Sequence, residues 1–247
     1  MAEWTEGTVV ERRAWTPRLI SLRIEADMVP FEAGQFVRVG LDIDSKRIGR
    51  PYSFVNAPHE PFVEIYFNIV PEGPLSPRLA NLTVGERLWL QRQANGFLVL
   101  SEVPPAQDLW LLATGTAIGP FLSILKTDAP WKRFEHVILV HGVRTPEELA
   151  YRDLITKLVE QRAPSLQYVP VLSRDIAPWA LQGRIPAQIA SGALEEVCEL
   201  ALDPQSAHVM LCGNSNMIED ASQVLYARGL RKHRRREPGH ISTEKYH

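Results

Sequence analysis

The fold of the second half of the chain is decided by residues 109–120, whose sequence is Leu-Trp-Leu-Leu-Ala-Thr-Gly-Thr-Ala-Ile-Gly-Pro. The apolar run predicts a buried strand, and the glycines after it open a helical pattern at Ile118. An open α/β sheet binds phosphate at this kind of strand-to-helix junction, because the amides of the helix face the ligand. The glycine spacing is neither the dinucleotide-binding fingerprint nor a P-loop, so an ordinary turn is the alternative.

Compact apolar runs alternate with helical patterns through the rest of this half. Strands are predicted at 109–113, 136–140, 166–171 and 208–211, and helices at 118–125, 146–160 and 216–227. This alternation predicts a parallel sheet with crossover helices.

Residues 1–100 follow a different rhythm, with short alternating apolar runs bounded by turn residues such as 42–44. That pattern is typical of an antiparallel barrel or sandwich. One short helix is predicted at 76–82, with Ser76 as its N-cap and Pro77 at the first helical position. We therefore expect two domains: an antiparallel β-barrel over 1–102, followed by an α/β parallel-sheet domain over 103–247.

Composition and charge exclude several classes of protein. The 247 residues are 45% hydrophobic, which excludes a disordered or fibrous chain. With 27 basic and 29 acidic residues, the formal charge of −2 favours neither nucleic acid nor a membrane as partner. The two cysteines, Cys198 and Cys212, are too few for a disulfide framework or a four-ligand metal cluster. We expect no metal, no signal or membrane-spanning segment, and a cytoplasmic location.

Arginines follow three of the predicted elements at the same edge of the sheet. Arg144 and Arg174 come directly after strands, and Arg184 follows shortly afterwards. Because a guanidinium offers paired planar donors and keeps its charge, this group of arginines suits a phosphate dianion. A surface ion pair is the ordinary alternative for any one of them. Together they predict an anion site, such as one for a 2′-phosphate.

Two further segments carry side chains that suit a ligand. The last strand ends at Cys212-Gly213, where a thiol could touch a ring, act as a nucleophile or stay inert. In the first half, residues 50–53 place a cation, an aromatic ring and a hydroxyl on one strand, although an ordinary strand is the alternative. Residues 73–76 then offer backbone N–H groups to an anion.

Four short motifs give a more specific indication through their order along the chain. They are Arg-x-Tyr-Ser at 50–53, Gly-x-Leu-Ser at 73–76, Gly-Thr-x-x-Gly-Pro at 115–120 and Cys-Gly-x-x-x-Met at 212–217. The series resembles the plant-type ferredoxin/flavodoxin–NADP reductase superfamily, and in particular its short bacterial members. The resemblance implies that the barrel binds FAD and the α/β domain binds NADP(H), with the C-terminal tail returning to the flavin.

The resemblance assigns roles in an FAD site. It implies that Arg50 faces the diphosphate, Tyr52 stacks on the isoalloxazine ring and Ser53 hydrogen-bonds near flavin N5. Further FAD contacts implied in this way are Pro51, Tyr66, Gly73, Leu75, Ser76 and Thr116. The penultimate Tyr246 matches a family aromatic that covers the flavin, and His247 stands where tryptophan is expected.

The resemblance also assigns an NADP site. It places Arg144, Arg174 and Arg184, with the help of Ser173, around the adenosine 2′-phosphate, which implies NADP rather than NAD. Cys212 and Gly213 approach the nicotinamide. Ser53 and Cys212 are therefore the candidate catalytic residues at the point of hydride transfer.

The implied activity is electron transfer from NADPH through FAD to a ferredoxin or flavodoxin, carried out by a monomer. The run from Arg228 to Arg236 contains six cations, which would steer an acidic redox protein, and a solvated basic loop is the alternative. Two other functions stay open. One is a reductase for an oxygenase or for free flavin on the same fold, and the other is a nucleic-acid-binding module that uses the basic run.

Overall fold

The computed structural model describes residues 3–28 and 30–246. The first part forms an antiparallel sheet with one short helix, made of β1 (Trp4–Ala14), β2 (Leu19–Ala26), β3 (Phe36–Ile43), β4 (Lys46–Ser53), β5 (Val63–Asn68), α1 (Ser76–Ala80) and β6 (Arg87–Gln91). The strand order is β4-β3-β6-β1-β2-β5. A bridge between Phe54 and Ile65 joins the ends of the two edge strands, so the sheet curls into the predicted barrel.

Alternation of apolar residues fills the barrel core. Ile20, Leu22 and Ile24 of β2 point inward with residues of the other strands. The opposite face of the β2–β5 pair is also buried, because Leu19 and Tyr66 pack against the second domain. Burial on both faces explains why β5 is buried from Val63 to Phe67.

Two local predictions in this domain are wrong in detail. The turn after β3 lies at Asp44 and Ser45 rather than at 42–44, and both residues have positive φ, 49° and 62°. Two residues with positive φ form the tight connection that suits the twist of a hairpin. Ser76 is not the N-cap of α1, since Leu75 holds that position and the Ser76 Oγ accepts a hydrogen bond from the Val70 N–H at 2.9 Å.

The second part forms a parallel six-stranded sheet with helices on both faces. Its elements are β7 (Asp108–Thr114), α2 (Gly119–Leu125), α3 (Ala129–Arg133), β8 (His136–Val143), α4 (Arg152–Arg162), β9 (Leu166–Leu172), β10 (Leu181–Gln182), α5 (Ile185–Ser191), α6 (Ala193–Cys198), β11 (Ala207–Asn214), α7 (Ser215–Ala227) and β12 (Ile241–Tyr246). The strand order is β10-β9-β8-β7-β11-β12, as expected for an α/β domain. From β7 the strands are added outwards to β10 on one side, and β11 then returns to the other side of β7. The boundary between β7 and β11 is therefore the switch point at which such sheets bind ligands. None of the helices in the described ranges is long and apolar enough to cross a membrane.

The helix predicted at 146–160 is divided in the structure. A 3-10 turn covers Pro146–Glu148, and α4 begins only at Arg152. Between them Tyr151 adopts a left-handed conformation, with φ 62° and ψ 17°. The C-terminal segment forms β12 as far as Tyr246 and pairs in parallel with β11.

The two domains share one apolar interface. Val55 and Tyr66 of the barrel lie in the same buried cluster as Phe121 and Leu122 of α2. Polar contacts cross the same interface: the Ser123 hydroxyl donates to the Asn56 carbonyl at 2.6 Å, and further contacts join Lys126 to Glu60 and Tyr151 to Glu64. These contacts set the barrel directly against the sheet's helical layer.

Candidate active site

The barrel has an open edge where β4 and β5 separate. Beyond their bridge, the Val55 N–H donates to the Glu64 carbonyl at 2.8 Å, so the peptide groups of Glu64 point away from β2. Because alternate residues of a strand direct their peptide groups to the same side, those of Tyr66 face the same open edge. Across the gap, the Phe54 N–H donates to Gln35 of β3, so Ser53 directs its peptide groups outward. Ser53 and Tyr66 therefore direct their peptide groups towards each other at the mouth between the two edge strands, which are joined by a single bridge.

The rings of the two tyrosines predicted for this site, Tyr52 and Tyr66, lie in different surroundings. Tyr52 is half-buried on the barrel, edge-on to Phe67 with ring centroids 5.6 Å apart, and burial raises the pKa of its phenol to about 12. The ring of Tyr66 turns instead into the domain interface, edge-on to Tyr151 at 5.3 Å. Side chains of neighbouring strand residues point to opposite faces, so only the main chain of Tyr66 reaches the open edge.

The segment around α1 offers donors to an anion. The N–H groups of Leu75 and Ser76 donate to no acceptor found among residues 3–28 and 30–246, whereas the Gly73 N–H is used by the Val70 carbonyl. The Arg50 guanidinium is exposed and contacts the Gly49 carbonyl at 3.0 Å. It forms no ion pair with any residue of the described chain. These groups are therefore free to bind a diphosphate.

The loop after β7 lies at the switch point of the sheet. Gly115 has φ 55°, and the space beside its Cα is open. His141, fully buried on β8, contacts the Gly115 carbonyl through Nε2 at 2.9 Å. Burial lowers the pKa of His141 to about 4, so the ring is neutral and Nε2–H is the donor. The sequence analysis gave His141 no role, because a histidine inside an apolar strand has no distinguishing pattern.

The end of β11 faces this loop closely. Gly213 has φ 158°, which is nearly extended, but a Cβ there would lie 2.2 Å from Thr114 Oγ1. A larger residue at this position would therefore require the Thr114 and Met217 side chains to shift. Thr116, in the turn that follows Gly115, is half-buried beside the same opening.

Tyr246 of β12 lies close to one residue of the barrel, Ser53, and to one residue of the sheet, Cys212. Burial raises the pKa of the Tyr246 phenol well above its ordinary value, the Cys212 thiol adds to that rise, and hydrogen bonding with Ser53 opposes it. Tyr246 thus lies beside the two residues predicted to be catalytic. Cys212 is fully buried, and burial raises the pKa of its thiol well above the ordinary value, which excludes a thiolate nucleophile. His247 lies outside the described residues.

Glu244 is a further member of this group that the sequence analysis missed. It lies opposite Cys212 in the β11–β12 register, and burial raises the pKa of its carboxyl to about 7. No sequence pattern indicates Glu244, because the segment that carries it does not have the apolar pattern of a strand.

The predicted anion site is assembled at the ends of β8 and β9. The Arg174 N–H donates to the Arg144 carbonyl at 2.9 Å, and the Ser173 hydroxyl donates to the Val143 carbonyl at 3.2 Å. Arg184 follows β10, the next strand of the sheet. All three guanidinium groups are exposed, and none is ion-paired within the part of the chain that the structure describes. The same described residues contain no cluster of three ligands that could hold a metal ion.

The fold and this site define a class: two-domain oxidoreductases in which an antiparallel barrel precedes a nicotinamide-nucleotide-binding sheet. A family model described as "Oxidoreductase NAD-binding domain" matches residues 111–223. The chain is 46% identical over 247 residues to the flavodoxin/ferredoxin–NADP reductase of Escherichia coli K12, with 100% of both chains covered. It is 37% identical to the ferredoxin–NADP reductase of Pseudomonas aeruginosa, over 94% of this chain and 93% of the relative.

A solved structure agrees with these relatives. A ferredoxin NADP⁺ reductase from Neisseria gonorrhoeae with bound FAD and NADP superimposes with a TM-score of 0.93, at 36% identity over 99% of both chains. The chain belongs to the flavodoxin/ferredoxin–NADP reductase family. The comparisons do not favour the alternatives of an oxygenase or free-flavin reductase or of a nucleic-acid-binding module.

Proposed function

We propose that the chain transfers electrons between NADPH and a ferredoxin or flavodoxin by means of a bound FAD. The observation that carries the proposal is the meeting of the two domains at Tyr246 of β12, which packs against the buried cluster that contains Cys212 and lies beside Ser53 of the barrel. Bound FAD supplies the acceptor for a hydride and the donor of single electrons. The protein's own residues have to hold both nucleotides with their reactive rings at this point.

The residues at the barrel edge fit FAD. Arg50 and the free amides of Leu75 and Ser76 would hold the diphosphate, with Gly73 and Pro51 shaping the surface around it. Tyr52 would offer its ring face, and Tyr66 would contribute its main chain at the open edge. Thr116 would complete the site from the second domain. We take residues 1–102 as the FAD-binding domain.

Residues of the second sheet fit NADP(H). Arg144, Arg174 and Arg184 would bind the 2′-phosphate, since they are exposed, unpaired and at the same sheet edge, and Ser173 would assist. Cys212 and Gly213 would lie against the nicotinamide. We take residues 103–247 as the NADP-binding domain, with its C-terminal end returning to the barrel through β12.

In this reaction the protein's side chains mainly position the two reacting rings. Ser53 is 4% exposed and lies beside Tyr246, where its hydroxyl would donate to a flavin ring nitrogen. Tyr246 covers this point, so its ring has to move aside before a nicotinamide can lie there. Its place beside Ser53 also keeps water from the reacting atoms until then.

An acidic redox protein is the partner that the surface favours. Three cations of the basic run are paired internally: Arg228 contacts Glu195, Arg234 contacts Glu237 at 3.7 Å, and Arg235 contacts Glu102 at 2.8 Å. Three others have no ion pair to described residues and are left for a partner: Arg231, Lys232 and Arg236. We propose that the protein acts as a monomer, binds neither nucleic acid nor membrane, and works in the cytoplasm, where its two buried, unpaired cysteines stay reduced.

The spectrum of the purified protein tests this proposal. We expect the visible absorbance of a bound flavin, and release of FAD rather than FMN when the protein is denatured. Arg50→Ala should weaken FAD retention while Arg38→Ala, on the neighbouring strand, should not. A protein that stays colourless after incubation with FAD would overturn the proposal.

A further inference from the structure

Tyr151 is the only residue with positive φ between β8 and α4, and its surroundings hold it there. A tyrosine in the left-handed region costs about 1 kcal/mol or more, and persists only where neighbouring contacts require it. Its ring is 6% exposed and lies 4.4 Å from the Trp15 ring of the barrel, between centroids. The conformation therefore serves to deliver this side chain across the domain interface.

The phenol of Tyr151 ends on a buried carboxylate of the barrel. It donates to Glu64 Oε1 at 2.9 Å, and the other oxygen of Glu64 accepts from Arg23 Nε at 3.2 Å. Glu64 is 3% exposed, so both contacts compensate a charge that has little access to water. Burial raises the pKa of the Tyr151 phenol well above its ordinary value, and the negative charge of Glu64 raises it further. The phenol therefore stays protonated and remains a hydrogen-bond donor.

Apolar packing does not continue around this contact. A cavity of about 310 Å³ opens beside it, lined by Arg23, Lys126, Arg152 and Tyr151 among others. Beside this cavity, the aromatic contacts of Tyr151 with Trp15 and Tyr66 are accompanied by directional polar bonds from Tyr151 and Arg23 to Glu64. Directional bonds fix an orientation more narrowly than an apolar contact of the same area.

Each end of the Tyr151–Glu64 bond leads to one of the two nucleotide sites. Glu64 is two residues before Tyr66, whose peptide groups line the open edge of the barrel. Tyr151 ends the connection that begins with Arg144, and that connection is tightened by a hydrogen bond from the Arg144 N–H to Glu148 Oε2 at 3.0 Å. A shift at this bond would move the arginine site relative to the flavin edge.

We propose that Tyr151 is a positioning residue for hydride transfer: through Glu64, it sets where the NADP site lies relative to the FAD edge of the barrel. The proposal rests on the function proposed above. It differs from a purely structural role, because it requires the loss of the hydroxyl to affect the transfer step more than nucleotide binding or folding.

Tyr151→Phe tests the proposal, and Tyr168→Phe is the matched control. Tyr168 is another tyrosine of the second domain whose hydroxyl is buried, and that hydroxyl has no partner among described residues. For Tyr151→Phe, the single-turnover rate constant of flavin reduction by NADPH should fall about tenfold, because small misplacements of reacting groups are costly. The dissociation constant for NADP⁺ should change less than about twofold, since the three arginines are intact. Tyr168→Phe should match the unmodified protein in both.

A second variant and a second readout complete the test. Glu64→Gln should also slow the transfer, and the double variant should be no slower than the slower single one, because the two residues act through one bond. Without any nucleotide, amide hydrogen exchange should increase in residues 62–68 and 144–155 of Tyr151→Phe but not of Tyr168→Phe. A Tyr151→Phe protein with unchanged transfer and exchange overturns the proposal, as does a loss that appears only in NADP⁺ affinity. A wild-type protein that fails to bind FAD contradicts the proposed function instead, and leaves the exchange result to decide the interdomain bond.

Discussion

The Nε2–H of His141 donates to the carbonyl of Gly115 at 2.9 Å, directly beneath the loop at the switch point of the sheet. The bond links β8 to the turn that follows the neighbouring strand β7, where Gly115 has a left-handed conformation. The other ring nitrogen, Nδ1, has no partner among the described residues. The buried ring therefore serves this loop by one donated hydrogen bond.

His141→Leu should destabilise the protein by about 1 kcal/mol, because the Gly115 carbonyl loses its hydrogen-bond donor. It should also raise the KM for NADPH, since the loop at the nucleotide site loses its support. Urea unfolding and steady-state kinetics measure the two effects. His59→Leu, at an exposed position in the barrel, is the control. Unchanged stability and KM would show that the hydrogen bond does not hold the loop.

The stability of the protein should decrease on acidification through the range in which histidine charges. Burial lowers the pKa of His141 to about 4 and that of His208 to about 3, each from an ordinary value of 6.5. Below pH 6.5 the unfolded chain takes up these protons and the folded chain does not, so folding stability is lost as the pH falls towards 4. Replacing His208 by Asn should reduce the slope of unfolding free energy against pH in this window. An equal slope in both proteins would contradict the assignment.

Glu244→Gln should remove an ionisation from the pH profile of NADPH oxidation. Burial raises the pKa of Glu244 to about 7, so its carboxyl, opposite Cys212, loses its proton in the neutral range. We expect kcat/KM of the wild type to change with an apparent pKa near that value, and the variant's profile to be flat there. The control is Glu219→Gln on the exposed face of α7. A variant that keeps the ionisation would assign it to another group.

Arg174→Ala should raise the KM for NADPH on the order of tenfold and leave kcat nearly unchanged, because the arginine binds a part of the nucleotide remote from the reaction. The KM for NADH, which lacks the 2′-phosphate, should hardly move. The ratio of the two therefore serves as an internal control. If the KM values for NADPH and NADH rose equally, Arg174 would not bind the 2′-phosphate.

Replacing Arg231, Lys232 and Arg236 together by Ala should slow electron transfer to a flavodoxin about tenfold at low salt, and less at high salt, because steering by charge is screened. Turnover with ferricyanide, a small acceptor, should be unaffected. The matched variant is Arg228→Ala, which removes a cation already held by Glu195 and should affect stability more than partner use. Equal losses with both acceptors would exclude this surface as the docking site.

The sequence predicted the class of each domain because hydrophobic periodicity depends on local pattern alone. The strands at 136–140 and 208–211 lie within β8 and β11, and the helix at 216–227 lies within α7. The division of 146–160 could not be predicted, because the hydrogen-bond partner of Tyr151 at this break is Glu64, which is 87 residues away in the chain. β12 could not be predicted either, because its half-polar segment forms a strand only by pairing with β11, which is distant in the chain.

The candidate site shows the same division between local and distant information. Motifs at 50–53 and 115–120 predict positions where a ligand would approach the backbone, because such positions need particular residue types. The side-chain direction of Tyr66 and the partners of Arg228 and Arg235 depend on how separate elements pack. His141 and Glu244 are defined by burial, which no short motif records.

The central claim is that one chain accepts a hydride from NADPH and delivers single electrons to a ferredoxin or flavodoxin. The most direct measurement mixes the FAD-loaded protein with NADPH and an oxidised flavodoxin without oxygen, and follows both proteins by rapid-scanning absorbance. The account predicts that the protein's flavin is bleached first and that flavodoxin is then reduced, with NADPH preferred to NADH. A flavin that NADPH leaves oxidised, or a flavodoxin that stays oxidised beside the bleached protein, would contradict it.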